Sequence, residues 1–209
     1  ISLGASDNHR KGFGPFPAGI RHATYNDLSS VKALITAKTA AIIIEPVQGE
    51  AGVVPAKQEF LVGVRDLCTQ NGVLLIMDEV QSGVGRMGNL FGYMAFGIEP
   101  DILTSAKGLG GGIPIGATLT KNDIASSMSV GSHGSTFGGN PMACAVADKV
   151  IEIVSNPNFL QEVKEKETLL VNKLEGVSKK HQAFREIRSS GLWIGCELNN
   201  NGEVNELLD

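Results

Sequence analysis

Ala40-Ala41-Ile42-Ile43-Ile44, then Phe60-Leu61, Val64 and Leu67-Cys68 at helical spacing, then Asn71-Gly72 and Val73-Leu74-Leu75-Ile76-Met77-Asp78 follow one another between residues 40 and 78. A run of apolar, largely β-branched residues without alternation suits a strand covered on both faces, as in a parallel sheet. The helical repeat between the two runs, stopped by Asn71-Gly72, supplies the crossover. Strand, helix, strand in this order is a βαβ unit, which lays its strands parallel with a right-handed connection. Ligands in such sheets gather beyond the carboxyl ends of the strands. The residues to inspect are therefore Glu45 to Glu50 after the first strand and Asp78 to Gln81 after the second. A third strand, Ile102 to Ser105, delivers Lys107 into Gly108-Leu109-Gly110-Gly111-Gly112, and a fourth, Ile115 to Thr120, leaves it.

Outward from this centre, Asp27 caps a short helix bearing Leu28, Val31, Leu34 and Ile35 on one face. Asn140-Pro141 reads as an N-cap with proline at N1, opening a helix through Ala143, Val146, Val150 and Val154 that Pro157 ends. A long charged amphipathic helix from about Phe159 to Lys180 and two short strands, Phe184 to Arg188 and Leu192 to Leu198, follow. The shift from glycine-rich to charged composition near Ser155 divides the chain into residues 1–154 and 155–209. The chain opens on Ile1 and closes on Asp209 inside an acidic helical pattern from Gly202, and is read as a central piece of a longer protein.

Composition narrows the function classes. With 18 basic and 22 acidic residues, a net charge of -4 and no single-sign block, nothing recruits a nucleic-acid backbone. Cys68, Cys144 and Cys196 are widely spaced and form no CxxC pair, which fits a reducing, cytoplasmic setting without a disulfide framework or zinc cluster. His9, His22, His133 and His181 lack metal-ligand spacing, and no run is long enough to span a membrane. Many of the 26 glycines lie between Gly83 and Gly139, where a site is expected.

Within that stretch Gly83-Val84-Gly85-Arg86-Met87-Gly88 matches the dinucleotide fingerprint G-x-G-x-x-G, and Glu99 or Asp101 lies at a suggestive distance. Five residues separate it from the strand, whereas the fingerprint needs its first glycine at the strand end. A dinucleotide-binding oxidoreductase is therefore the weaker reading. Asp78, ending an apolar strand, needs a cationic or hydrogen-bonding partner. It is either a cap or a partner of Arg86, or else the counter-charge for a cationic ligand atom such as a protonated pyridine nitrogen. Lys107 among small residues is either a snorkelling surface lysine or an amine that forms an imine with an aldehyde. Ser132, Ser135 and Thr136, among glycines, offer hydroxyls and N–H groups to a phosphate or else make a plain turn.

With these motifs in view the chain resembles the class III (ornithine-type) aminotransferases, most closely the acetylornithine and succinylornithine group. The resemblance runs through Ala40–Glu50, Met77–Gly83, Thr104–Lys107 and Gly131–Pro141. It implies an α/β fold of the fold-type-I pyridoxal phosphate-dependent transferases: a mainly parallel sheet flanked by helices, with the start of a smaller α+β C-terminal domain. Residues 1–154 would belong to the large cofactor-binding domain and residues 155–209 would begin the small one.

By the resemblance, Lys107 is the Schiff-base lysine of pyridoxal 5'-phosphate, Asp78 pairs with its pyridinium nitrogen, Val80 packs on the ring and Gln81 bonds the phenolic oxygen. Thr136, with Ser135 beside it, reaches the phosphate of the cofactor in the other subunit of a homodimer. Glu50 is a gate carboxylate that pairs with an arginine in one half-reaction and releases it in the other. The implied reaction moves the terminal amine of N-acetylornithine to 2-oxoglutarate, as in arginine biosynthesis; ornithine, succinylornithine and 4-aminobutyrate are the alternative donors. The family's Gly-Thr/Ser-Glu-Ala phosphate loop, its stacking aromatic and its substrate arginines have no counterpart in these 209 residues. Residues 1–209 alone are therefore expected to be inactive.

Overall fold

A computed structural model describes residues 1–4 and 6–199; the acidic pattern from Gly202 to Asp209 lies outside the described residues. The elements run α1 (Asp7–Arg10), α2 (Leu28–Leu34), β1 (Ala41–Ile44), β2 (Val47–Gln48), β3 (Val54–Pro55), α3 (Gln58–Asn71) and β4 (Leu74–Asp78). After a 3-10 turn at Gly92–Phe96 come β5 (Ile102–Ser105), a 3-10 turn at Lys107–Gly110, β6 (Ala117–Thr120) and α4 (Asn122–Ala125). Helices α5 (Pro141–Val154) and α6 (Pro157–His181) and the hairpin β7 (Phe184–Ser189) and β8 (Ile194–Leu198) complete the order.

The central sheet has the order β1-β4-β5-β6, with β1, β4 and β5 parallel and β6 antiparallel to β5. A helical crossover is needed only where strands run parallel, and the connection from β5 to β6 contains none. The βαβ expectation holds in detail. Helix α3 ends on Gly72 in the left-handed conformation, φ 65°, whose N–H caps the Cys68 carbonyl. Asp27 caps α2 by accepting from the Ser29 and Ser30 N–H groups.

The main core forms where α3 lies on the sheet. Phe60, Leu61, Val64 and Cys68 pack with Leu75, Met77, Val31 and Ile98. Burial thus alternates along β4: Leu75 and Met77 are fully buried, while Leu74, Ile76 and Asp78 are half-buried. This corrects the expectation of strands covered on both faces. In β1, Ile42 and Ile44 share the face of Leu75 and Met77, but Ile43, paired with Ile76, is 39% exposed. Strand β1 is the edge of the described sheet, and α3 covers only one of its faces.

A second correction concerns Pro157. Helix α5 closes at Val154 with Ser155 as its cap, and Pro157 is the first residue of α6, preceded by Asn156, whose side chain caps the Asn158 N–H. Proline at N1 removes a donor that a helix start leaves orphaned anyway, so it starts the second helix instead of ending the first. No helix among the described residues is long and apolar enough to cross a membrane.

The amino ends of β4 and β5 are tied by Asp101. Its Oδ2 accepts from the Leu75 N–H at 2.7 Å and from Arg65 Nη1 of α3 at 2.8 Å. Burial alone would raise this carboxyl, but the Leu75 N–H and the Arg65 guanidinium outweigh it and hold it below the usual 3.8. A carboxyl lowered by folding stabilises the fold above its unfolded value, and that contribution fades as pH falls through the lower folded value. In the complete protein, Asp101→Asn should therefore lose about 1–2 kcal/mol at neutral pH. Thermal melts of parent and variant should converge as pH drops below 3.8.

Candidate active site

The carboxyl ends of β1, β4 and β5 bring Glu45, Asp78 and Lys107 to one edge of the sheet. The register pairs Ile44 with Met77 and Asp78 with Thr104, so Glu45 and Asp78 leave neighbouring strands side by side. Burial, and then the charge of Asp78, push the Glu45 carboxyl up, while the Gly49 N–H and the Lys107 ammonium pull it back. The Tyr25 hydroxyl donates to the Glu45 carbonyl at 2.8 Å and the Pro46 carbonyl at 3.1 Å, fixing the chain as it leaves β1.

Asp78 Oδ1 accepts from the Val80 N–H at 3.1 Å and the Thr104 hydroxyl at 3.3 Å. Its other oxygen has no hydrogen-bond partner among the described residues. The alternative partner, Arg86, is engaged elsewhere, donating to the Leu192 carbonyl at 3.0 Å. No helix begins at Asp78 either; the chain enters a turn. Lys107 opens the 3-10 turn after β5, exposed and at φ 46°. A long side chain in the left-handed region is uncommon, and such strain clusters at functional sites. The turn is wedged between two elements: a Cβ at Gly108 would meet Val84 at 3.4 Å, and one at Gly111 would meet Val150 of α5 at 3.1 Å.

Gln81 is half-buried beside Gly49, whose missing side chain would lie 2.9 Å from the Gln81 amide. Glu50, the next residue, is exposed in a turn closed by the Gly52 and Val53 N–H groups on the Gly49 carbonyl. Val80 is half-buried at the exit of β4. Ser135 and Thr136 are exposed in the segment between α4 and α5, and the hydrogen bond there is local, from the Gly138 N–H to the Ser135 carbonyl. No hydrogen bond links either of them to Lys107 among the described residues.

The Gly83–Gly88 fingerprint is accounted for by packing. A Cβ at Gly83 would lie 2.7 Å from the Glu79 carbonyl, one at Gly85 2.5 Å from Val154, and one at Gly88 2.7 Å from Lys164. Gly83 lets the loop close on Glu79, and Gly85 and Gly88 admit helices α5 and α6 against it; no helix starts within the motif, so the pyrophosphate reading fails. Asp101 sits at the opposite end of the sheet on Arg65.

Sequence reading missed Glu79. It is fully buried: Oε2 accepts from the Ser82 hydroxyl at 2.6 Å and the Gly92 N–H at 2.8 Å, and Oε1 from the Tyr93 N–H at 2.7 Å. Burial pushes this carboxyl up against the pull of the three donors. The carboxylate between Asp78 and Val80 thus pins the loop that carries Gln81. Its signal in the sequence was an acid directly after an already polar strand end.

The model of the family described as "Aminotransferase class-III" matches residues 1–209. The chain belongs to the class-III aminotransferase family. Among curated relatives, the succinylornithine transaminase of Yersinia pseudotuberculosis is 52% identical over 199 residues, which is 95% of this chain and 48% of that protein. The acetylornithine/succinyldiaminopimelate aminotransferase of Yersinia pestis is 50% identical over 198 residues, covering 95% of this chain and 49% of its own length. An aminotransferase of Bacillus anthracis superposes with a TM-score of 0.88 at 31% identity, over 99% of this chain and 53% of that one. The N-acetylornithine aminotransferase of Stenotrophomonas maltophilia gives 0.80 at 35% identity, over 88% and 48%. This class-III chain thus spans about half the length of the relatives it matches.

Class-III aminotransferases of this fold depend on pyridoxal phosphate. The residues present suit that group: an exposed amine on a strained turn, a carboxylate on the adjacent strand with one oxygen unpartnered among the described residues, and the Gln81 amide three residues beyond that carboxylate, beside Gly49. Three donors converging on Glu79 require an acceptor-only side chain, because a glutamine nitrogen cannot accept. Glu79→Gln should leave the Gly92 or Tyr93 N–H unpaired, cost about 1–3 kcal/mol and speed amide exchange at that residue. Exchange at both amides unchanged from the parent would contradict this arrangement.

Proposed function

We propose that the complete protein is a cytoplasmic pyridoxal phosphate-dependent transaminase. It takes the terminal amine of an N-acylated ornithine, N-acetylornithine in the first instance, and delivers it to 2-oxoglutarate. The observation that carries the reading is the placement of Lys107, strained and exposed after β5, at the same sheet end as Asp78, the last residue of β4, whose second oxygen has no hydrogen-bond partner among the described residues. Relatives named for succinylornithine and acetylornithine support the acylated donor. Ornithine and 4-aminobutyrate are the other candidates.

In this reading the Lys107 amine holds the cofactor carbonyl carbon, Asp78 faces the ring nitrogen, Val80 lies on the ring and Gln81 donates to the phenolic oxygen. The cofactor supplies an electron sink that makes the substrate C–H acidic. The Lys107 Nζ would serve as the base that takes the proton from the substrate carbon bearing nitrogen and as the acid that gives it back. Asp78 would supply the counter-charge to the ring nitrogen. Glu50 faces the substrate and sets which end enters. Residues 1–154 form part of the cofactor-binding domain, and α6 with the β7–β8 hairpin begins a second one. The partner is a second copy of the chain, with Thr136 and Ser135 serving the phosphate across the interface.

Turnover of the four donors with 2-oxoglutarate tests the substrate, and a preference for ornithine or 4-aminobutyrate over both acylated donors would overturn it. Lys107→Ala should abolish turnover with the fold retained, and mass should be added at Lys107 after borohydride treatment of the yellow protein. Asp78→Asn should cost on the order of a hundredfold or more in rate, as expected for lost charge stabilisation. Mixing Lys107→Ala with Thr136→Ala subunits should restore part of the activity, because a heterodimer then holds one intact site. No recovery beyond the parents would place Thr136 within its own subunit's site.

A further inference from the structure

The turn that carries Glu50 is gripped from outside by the β7–β8 hairpin, and we infer that Trp193 and Arg188 are positioning residues that set where Glu50 and Gln81 stand. The inference rests on the reading of those two residues as substrate-facing and cofactor-facing groups.

Four contacts build the grip. Arg188 Nε donates to the Gly52 carbonyl at 3.0 Å, while Nη1 pairs with Glu197 at 2.9 Å and with Glu186. The two carboxylates hold the guanidinium in place through Nη1, and its Nε–H is aimed at the turn. A lysine ammonium lacks this planar fork. Gly195 lies so close that a Cβ there would come within 2.5 Å of the same Gly52 carbonyl. The Trp193 ring packs on the small cluster of Val47, Val53 and Met87 that underlies the turn. A Cβ at Gly49 would overlap that ring on one side and meet the Gln81 amide on the other, so the indole and Gln81 share one glycine.

The turn needs such support. Val53 stands at φ 56° and Gly52 at φ 96°, and a β-branched residue in the left-handed region persists only when its surroundings over-determine it. Glu50 itself makes no side-chain hydrogen bond among the described residues, so the backbone of the turn sets the point from which its carboxylate reaches out. The hairpin is also locked to the loop of Gln81. The Leu192 N–H donates to the Arg86 carbonyl at 3.0 Å, and Arg86 Nη1 returns a bond to the Leu192 carbonyl at 3.0 Å. One rigid hairpin therefore registers two site segments against each other. A shift of the hairpin moves a charge that the amine donor and the keto acid meet differently, so the two half-reactions should respond unequally.

The test uses the complete protein with Trp193→Phe, Trp193→Ala and Arg188→Lys, beside Glu50→Gln and Gln81→Ala. Single-turnover rates with the amine donor and with 2-oxoglutarate give a ratio of kcat/KM values for each protein. The Trp193→Ala and Arg188→Lys ratios should move by about tenfold, below the roughly hundredfold that a 1 Å misplacement can cost. The visible absorption of the bound cofactor should shift as the Gln81 amide moves, and Trp193→Phe should restore most of both. A readout free of cofactor comes from the apoprotein. The emission assigned to Trp193, as the difference from Trp193→Phe, should shift to longer wavelength in Gly49→Ala as the ring is pushed toward water.

Equal losses in both half-reactions with an unchanged ratio and absorption would mark a merely structural role and overturn the inference. So would unaltered Trp193 emission in Gly49→Ala, since the shared contact would then be absent. If Glu50→Gln and Gln81→Ala themselves leave ratio and absorption unchanged, the reading of the site fails first, and the inference falls with it for a different, recognisable reason.

Discussion

The carboxylate of Glu79, shut away from water and satisfied by the Ser82 hydroxyl and the Gly92 and Tyr93 N–H groups, is the constraint from which the site geometry follows. An isolated carboxylate in an apolar interior is costly, and it is retained here because three donors converge on it. Their convergence folds the glycine-rich loop back onto the end of β4. That fold leaves Asp78 on the opposite side of the strand end from the buried clamp and presents Gln81 toward Gly49. It also seats Gly85 and Gly88 where α5 and α6 can approach. One hydrogen-bonded carboxyl thereby links strand, loop and helices.

Around this clamp the sheet does the arithmetic of placement. Parallel pairing of β1, β4 and β5 puts three chain exits at one edge, and the register from Ile44–Met77 to Asp78–Thr104 brings Glu45, Asp78 and Lys107 into mutual electrostatic reach. At the other edge Asp101 joins Arg65 and Leu75, so the amino ends carry a structural ion pair and the carboxyl ends carry charged groups with no salt bridge among the described residues. This division of labour is what an open α/β sheet favours, because strand exits are loops free to vary while strand entries are stitched to the crossover helix. Membership in the class-III aminotransferases is consistent with it, as is the extent of the match along the whole chain.

Much of the site was legible because it depends on local sequence. Asp78 and Lys107 stand out wherever an apolar strand ends in a charge, and Asn140-Pro141 and Gly72 mark helix ends by steric rules that act within a few residues. Proline at 157 misled because the same steric rule allows it to follow one helix or to begin the next; the Asn156 side chain, capping the Asn158 N–H, selects the second. The two-sided covering expected of β1 failed because an apolar run shows what a strand can bury, while its neighbours decide what it does bury.

By itself the sequence determined the β1–α3–β4 succession, the parallel pairing of its strands and the strand-end positions of Asp78 and Lys107, since periodicity, capping and chain reach are properties of short stretches. Only the tertiary structure decided which buried acid is a clamp, which glycines are spacers and which distant residues lean on the turn of Glu50. Glu79 meets donors that return only after the loop closes at Gly92, and Trp193 meets Gly49 from the far end of the described chain. Contacts of that kind have no period and no local propensity. They arise because a dense interior allows only one close approach at each point, and that approach is set by packing of the whole chain.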